Sequence, residues 1–338
     1  MALAHNPWVI DARDLPPLDV VFGTSSGMAA ARVILERTSD KTVPVLLQGE
    51  SGTGKDIFAK LLHLNSSRAN GAWVKVSCPA IPHTLIESEL FGYEKGAFTG
   101  AYSTKRGRVE QANMGTLFLD EVGDLDLTTQ AKLLQLLQDG SFSRVGAADT
   151  RKVNTRIVTA NNGNLKQQVD DGTFRLDLFY RINAVTIDLP PLRQRTEDIP
   201  MLIDHFLALH SKLFRIEPRP ISREVLRIMQ RYSWPGNIRQ LENIIRSYVL
   251  IGDEEALVGE LLPAAPGRLV PEIDLDNPIS LKEITKASTR NLEREIILKV
   301  LRANGWSRRK TAKWLNISYR SLLYKLQDSL AKTPDDEP

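Results

Sequence analysis

The chain has a single cysteine, Cys78, in 338 residues. That excludes an internal disulfide and a cysteine zinc cluster, and it makes a reducing, cytoplasmic setting the expectation. No apolar run approaches the roughly 20 residues of a membrane span. Residues 1–17 carry His5, Asp11, Arg13 and Asp14 and no apolar core, so they do not read as a secretion signal. No internal repeat is present. Net charge is also small, at +3, yet it is unevenly spread. Residues 277–332 hold 13 Lys/Arg against 4 Asp/Glu, a net of +9, which leaves −6 for the remainder. A basic C-terminal end predicts a polyanion partner there; the plain alternative is a solvated helical surface.

What the chain does contain, 42% hydrophobic and 25% charged residues, suits a globular protein of about two domains. Residues 1–17 read as an irregular lead-in. Between 18 and 192, strand-like runs at 43–47, 73–78, 116–119, 156–159 and 184–189 alternate with helical spacing at 56–64 and 129–137. Such alternation predicts an α/β fold with a parallel sheet covered on both faces. Pro190 and Pro191 close that block. Residues 193–262 read as a smaller helical subdomain, with helices at 199–213, 222–232 and 238–251. Prolines at 263, 266, 271 and 278 mark 263–279 as a linker. A last all-α unit is expected at 280–331, then an acidic tail at 332–338.

Gly49, Glu50, Ser51, Gly52, Thr53, Gly54 and Lys55 fit G-x-x-x-x-G-K between an apolar strand and a helix. In such a loop, backbone N–H groups turn toward phosphate oxygens, and the helix N-terminus favours negative charge. Lys55 is placed to reach the β- and γ-phosphates of ATP. Asp56 stands where the motif usually has Ser or Thr, so a magnesium contact from that position is expected to be indirect. Leu117, Phe118 and Leu119 run into Asp120 and Glu121. Two adjacent acids at a buried strand end are costly without a cation or hydrogen-bond donors. Asp120 is placed to hold Mg²⁺, directly or through water, and Glu121 to polarise the attacking water. Between these motifs lie Gly96, Ala97, Phe98, Thr99, Gly100 and Ala101. This stretch reads as a loop with an apolar tip, suited to touching a partner.

The chain resembles the AAA+ ATPase family, and within it the bacterial enhancer-binding proteins that activate sigma-54 RNA polymerase. G-E-S-G-T-G-K-D, E-L-F-G-Y-E-K-G-A-F-T-G-A, G-T-L-F-L-D-E-V and W-P-G-N-I-R-Q-L-E-N, in this order, carry the resemblance across 20–262. It implies that Val21, Phe22 and Gly23 flank the adenine. It implies that Asn162 is the sensor near the γ-phosphate and that Arg239 is the lid arginine reading the nucleotide. Arg175 and Arg181 resemble arginine fingers inserted into a neighbouring subunit, which implies self-association as a homohexamer. Phe98 and Thr99 would contact sigma-54. At Ser77 the chain departs from the family, which usually has an Asn there that holds the catalytic Glu in check. Coupling of Glu121 to partner binding is therefore expected to be rearranged, with hydrolysis retained.

In the C-terminal unit, Leu292, Ile296, Ile297, Val300 and Leu301 form a helical apolar stripe. A second helix is expected to start at Ser307. A turn at Asn316 and Ile317 and a third helix capped by Ser318 complete a helix-turn-helix. This resembles the Fis-type DNA reader of the same family. Arg308, Arg309 and Lys310 are read as phosphate contacts on double-stranded DNA, and Ser318, Tyr319, Arg320, Ser321 and Lys325 as groove or phosphate contacts. Ala312, Leu315, Ile317 and Leu322 are read as core. The resemblance implies an ATP-driven activator with no N-terminal regulatory domain in this chain; control by a regulatory protein in trans, by expression or by pairing with a related subunit stays open. Two rivals stay open: an ATP-binding repressor or switch on the same fold, and another AAA+ machine such as an initiator or clamp loader.

Overall fold

A computed structural model of the protein describes residues 15–261, 297, 300, 308–319, 321 and 322. The lead-in before residue 15, the linker 263–279, the acidic tail and most of 280–331 lie outside the described residues. The chain divides into two compact units after Leu261.

The first unit begins with α1 (Leu18–Phe22), α2 (Ser26–Thr38), β1 (Val45–Gln48), α3 (Lys55–Leu64), β2 (Trp73–Ser77) and α4 (His83–Phe91). A hairpin follows, β3 (Gly92–Tyr93) and β4 (Lys105–Arg106), then α5 (Arg108–Gln111), β5 (Thr116–Asp120) and α6 (Leu127–Asp139). A second hairpin, β6 (Ser141–Phe142) and β7 (Arg151–Lys152), leads to β8 (Arg156–Asn161), α7 (Leu165–Asp170), α8 (Leu176–Ile182) and β9 (Val185–Asp188). The helical remainder is α9 (Ile199–Phe214), α10 (Arg223–Arg231), α11 (Asn237–Ile251) and α12 (Glu254–Leu261).

All five strands expected from sequence are present. They form one sheet in the order β2-β5-β8-β1-β9, and every pairing is parallel. Strand side chains alternate between faces, and here both faces are dry. Leu46, Val76, Leu117, Leu119 and Ile157 point to one core with Leu90, Phe91, Leu133 and Leu178. Val45, Leu47, Phe118, Val158 and Ile187 point to the other, with Met28, Leu35, Phe58 and Leu62. α9 to α12 close a third core around Trp234, Met229, Leu241 and Ile245.

Two buried polar groups tie the layers together. Arg156, at the start of the central strand, donates to Thr38 O at 2.9 Å and Leu62 O at 2.8 Å, and also to Ser39 O. It thereby satisfies the orphan carbonyls at the ends of α2 and α3. His63 meets the Thr116 hydroxyl at 2.9 Å, and burial pushes its pKa down to about 4, so it is neutral.

Because all five strands run the same way, their C-terminal ends share one edge. Gln48 pairs with Asn161, and Ser77 pairs with Asp120. In open α/β sheets this edge is where ligands bind.

Candidate functional site

The glycine loop leaves β1 and enters α3 through Gly54, whose φ of +104° is in the left-handed region. Lys55 is buried at 6% exposure, and its ammonium donates to Gly49 O at 2.7 Å. The loop is gripped by the helical subdomain. A Cβ at Gly52 would stand 2.4 Å from Gly236 O, so only glycine permits this approach. Ile238 N donates to Gly52 O at 3.0 Å. Asn237, fully buried and at φ +51°, donates to Glu50 Oε2 at 3.1 Å and Ser51 O at 3.0 Å, and accepts from Leu192 N at 2.8 Å. Arg239 reaches Ser51 Oγ at 3.0 Å. Arg193 holds Glu50 by two bonds, at 2.8 and 2.5 Å, and with Asn237 keeps that carboxyl near a pKa of about 2. The lid motif W-P-G-N-I-R thus packs directly onto the phosphate-binding motif.

Glu121 follows β5 at φ +59°. Its Oε2 accepts from Asn162 N at 2.7 Å, and its Oε1 lies 3.4 Å from Lys55 Nζ. Burial pushes its pKa up; Lys55 and the Asn162 N–H oppose that, and Asp120 adds to it, for a net rise. Asn162 acts on Glu121 through its backbone, while its side chain is exposed. The neighbouring Asn161, which sequence reasoning passed over, is the buried amide. It accepts from Gly123 N at 3.0 Å and donates to Gly163 O at 2.9 Å. Ser77 makes no hydrogen bond to Glu121 among the described residues, so no side chain from β2 restrains that carboxylate. Cys78 is buried, and burial beside Asp124, Asp120 and Glu121 raises its thiol to about 12. It is therefore no nucleophile.

Asp56 and Asp120 offer hard carboxylate oxygens on either side of this edge, a donor chemistry that fits Mg²⁺ with phosphate and water completing the shell. Among the described residues no group of three or more His, Cys, Asp or Glu gathers to hold a metal. The ammonium of Lys75 is 2.8 Å from Asp56 Oδ1 and 3.6 Å from Asp120 Oδ2. Burial raises the Asp56 pKa, but Lys75 and Lys60 outweigh it and hold the group below its usual range. Lys75 gave no signal in sequence beyond facing outward on a strand.

A mostly apolar cleft of about 250 Å³ opens beside Thr53 and Gly54, lined by Val20, Val21, Ile57, Leu202 and Ile238. Val21 lines it. Phe22 does not; its ring turns inward and meets Phe58 edge-on at 5.6 Å. Gly23 sits against the Asp198 carboxylate, where a Cβ would be 2.4 Å from Asp198 Cγ. Asp198 is buried at 2% exposure and accepts from Thr24 N, Thr24 Oγ1, Ser25 N and Ser25 Oγ at 2.7, 3.1, 3.2 and 2.8 Å. The nearby Arg195, also 2% exposed, donates to Thr53 O at 3.1 Å. Neither residue was singled out from sequence.

Arg175 and Arg181 are not brought to this edge by any bond. Arg175 pairs with Asp177 at 2.7 Å, and Arg181 donates to Leu137 O at 2.9 Å. Leu176 and Tyr180 beside them are exposed at 54% and 69%.

The loop expected at 96–101 spans the β3–β4 hairpin. Gly96 and Gly100 have φ of +85° and +107° with open space around them. Phe98 is 41% exposed and its ring leans on Tyr93 at 5.0 Å, so the apolar tip is half-seated. Ala101 is buried, unlike the rest of the loop. The second hairpin lies alongside, with Glu94 N bonded to Val145 O at 3.1 Å. Arg144, 6% exposed, joins the two. It donates twice to Glu110 at 2.7 Å and once to Glu94 at 2.9 Å. Arg144→Met is expected to cost about 1.5–3 kcal/mol through the lost bonds to Glu110. It should also loosen the loop base, read as faster chymotrypsin cleavage at Phe98 and Tyr102.

In the second unit, helix Arg308–Trp314 is followed by a turn with Asn316 at φ +52°. Ser318 Oγ accepts from Ser321 N at 3.1 Å, the expected cap. Ile297, Ala312 and Leu322 are buried together, with Leu315 and Ile317 packed on them. Arg308, Lys310, Ser318 and Tyr319 are exposed, and Ser321 is half-buried. Arg320, Lys325 and Ser307 fall outside the described residues, as does the side chain of Arg309.

Comparison with known proteins matches each part of this arrangement. The model described as the Sigma-54 interaction domain matches residues 21–188, that of the AAA+ ATPase lid domain residues 193–268, and that of the bacterial regulatory protein, Fis family, residues 288–328. The regulatory protein AtoC of Escherichia coli is 43% identical over 88% of this chain and 64% of its own length. The DNA-binding transcriptional regulator NtrC of Escherichia coli is 39% identical over 92% of this chain and 70% of its own. A solved structure of NtrX from Brucella abortus in complex with ATP is 35% identical, with a TM-score of 0.65, over 92% of this chain and 69% of that one. The chain spans about three fifths of the length of the first curated relatives it matches. On these matches the chain belongs to the bacterial enhancer-binding protein family, with an AAA+ sigma-54 interaction domain, its helical lid and a Fis-type helix-turn-helix.

Proposed function

We propose that the chain binds and hydrolyses ATP and uses the cycle to drive sigma-54 RNA polymerase from closed to open complex at a DNA-bound site. The observation that carries this reading is the 3.4 Å approach of Lys55 to Glu121 at the sheet edge. That approach supports Lys55 as phosphate anchor and Glu121 as water-activating carboxylate, acting side by side. NtrX, 35% identical, is an ATP-bound relative, which supports the choice of nucleotide.

In this reading the cleft beside Val21 takes the adenine and excludes water from it. Backbone N–H groups of the glycine loop face the phosphates, and Lys55 leaves the Gly49 carbonyl for the γ-phosphate. Glu121, oriented by the Asn162 N–H, takes a proton from the attacking water as ADP and phosphate form. Asp120 would hold Mg²⁺, with Asp56 near it. The chemistry that Mg²⁺ supplies when bound is neutralisation of charge on the β- and γ-phosphates. Arg239, joined to Ser51, reports the nucleotide to the lid. Arg175 and Arg181 serve a neighbouring copy in a ring, proposed to be a homohexamer, and the exposed Leu176 and Tyr180 suit that contact. Phe98 and Thr99 meet sigma-54, while Arg308, Lys310 and Tyr319 face DNA.

Thr99→Ala separates hydrolysis from remodelling. ATP turnover within about twofold of wild type is expected, with loss of open-complex formation by sigma-54 polymerase on a promoter template. Normal open-complex yield from this variant would sink the loop assignment.

A further inference from the structure

Asp56 and Asp120 belong to different elements, the start of α3 and the end of β5, yet one ammonium serves both. Lys75 crosses from β2, its charge 5.6 Å from the centre of the Phe118 ring, and ends 2.8 Å from Asp56 and 3.6 Å from Asp120. Asp56 has a second cation, Lys60 at 3.3 Å, one helical turn on. Asp120 has no other ion pair among the described residues. Lys75 shares a strand face with Ser77, whose register partner is Asp120. The β2 residues nearest the acids therefore present one fixed positive charge and one short hydroxyl.

We propose that Lys75 is a resident counter-cation for the metal position, neutralising Asp120 and Asp56 until a divalent ion arrives together with nucleotide. This rests on the reading of Asp120 as the metal-holding residue. A single positive charge within 4 Å of both carboxylates lowers the local attraction for a bare divalent cation. The phosphates of a nucleotide add the negative charge that tips the competition. The two contacts are unequal, and the longer one, to Asp120, is the one more easily released. Asp56, with its shorter bond, then keeps Lys75 ordered while Asp120 turns to the metal. This gives Asp56 a task at a position where the usual Ser or Thr is absent: it parks the lysine. Lys75 is thus a positioning residue that makes metal capture conditional on nucleotide.

The test uses Mn²⁺ as the probe, with free Mn²⁺ read by its electron paramagnetic resonance signal. Without nucleotide, Lys75→Met is expected to bind Mn²⁺ at least tenfold more tightly than wild type, and Lys75→Arg to behave as wild type. Equal affinity for all three overturns the proposal. If the Met variant does not fold, as judged by circular dichroism, Lys75→Gln replaces it, since its amide can still donate to Asp56 without charge. A parallel melt of wild type with a nonhydrolysable ATP analogue and Mn²⁺ separates the two levels. A rise in Tm there, with no effect of Lys75 substitution, removes the lysine's role alone. No rise in wild type removes the nucleotide reading itself.

Discussion

Glu121→Gln is expected to lower ATP turnover by roughly 10²–10⁴-fold, the usual worth of a positioned general base, with nucleotide affinity retained. Gln keeps the shape and an oxygen for the Asn162 N–H at 2.7 Å, so the turn after β5 is preserved. What it loses is the ability to take a proton. Steady-state turnover beside equilibrium binding of a fluorescent ATP analogue checks both halves; a variant that hydrolyses normally refutes the role of Glu121. A pH dependence follows from the same group. Its folded pKa is raised, first by burial and further by Asp120, with Lys55 opposing. The carboxylate therefore protonates at a higher pH than an exposed glutamate, and wild-type turnover should fall with acidification earlier than an ordinary carboxylate would dictate. The sign for stability is the reverse. A raised folded pKa stabilises the fold at acid pH, and that contribution is lost as pH rises through the folded pKa. At neutral pH the charged Glu121 is a cost, so Glu121→Gln should melt slightly higher than wild type while turning over far more slowly.

The parts of this site legible in the sequence are those whose partners are local or whose pattern repeats. The five core strands announce themselves because a sheet covered on both faces needs near-continuous apolar runs, as at Leu117, Phe118 and Leu119. The glycine loop is legible because Gly52 and Gly54 answer to backbone conformation. The β3–β4 and β6–β7 strands are not legible. Each strand is two residues long, too short for any period, and the hairpins owe their place to Arg144, whose partners Glu94 and Glu110 lie 50 and 34 residues away. Lys75 looks like an ordinary outward lysine until the fold brings Asp120 beside it. The resemblance places Phe22 in a segment flanking the adenine but says nothing of its ring, which a five-residue helix turns toward Phe58. At Asn161 and Asn162, a one-residue difference on an extended strand end decides which amide is buried, and only the register settles it.

Asp198→Ala is expected to destabilise the first unit by about 1–3 kcal/mol, the desolvation penalty for buried groups left without a partner, and to weaken ATP-analogue binding at least tenfold. Asp198 sits just before α9 and reaches back across the chain to Thr24 and Ser25, accepting from two backbone N–H groups and two hydroxyls. Removing the carboxylate leaves the buried Ser25 N–H and hydroxyl without their acceptor, and each unsatisfied buried group carries a desolvation penalty. It also removes an opposing charge from the buried Arg195. Burial already pushes that guanidinium down to about 10, and Asp198 is the charge opposing the shift. Because Arg195 holds Thr53 O, the disturbance passes into the glycine loop, and because Thr24 and Ser25 follow Gly23, it passes into the wall of the cleft. One side chain therefore sets the spacing between the wall of the cleft and the glycine loop. Urea unfolding checks the stability half. Binding measured at low temperature, where the variant stays folded, checks the other. Asp198→Asn distinguishes the two causes. It can accept from the Ser25 and Thr24 N–H groups but offers no charge to Arg195, so it should recover part of the stability and little of the effect on Arg195. Full recovery of both by Asn would mean that hydrogen bonding alone, without the buried charge, holds the cleft together.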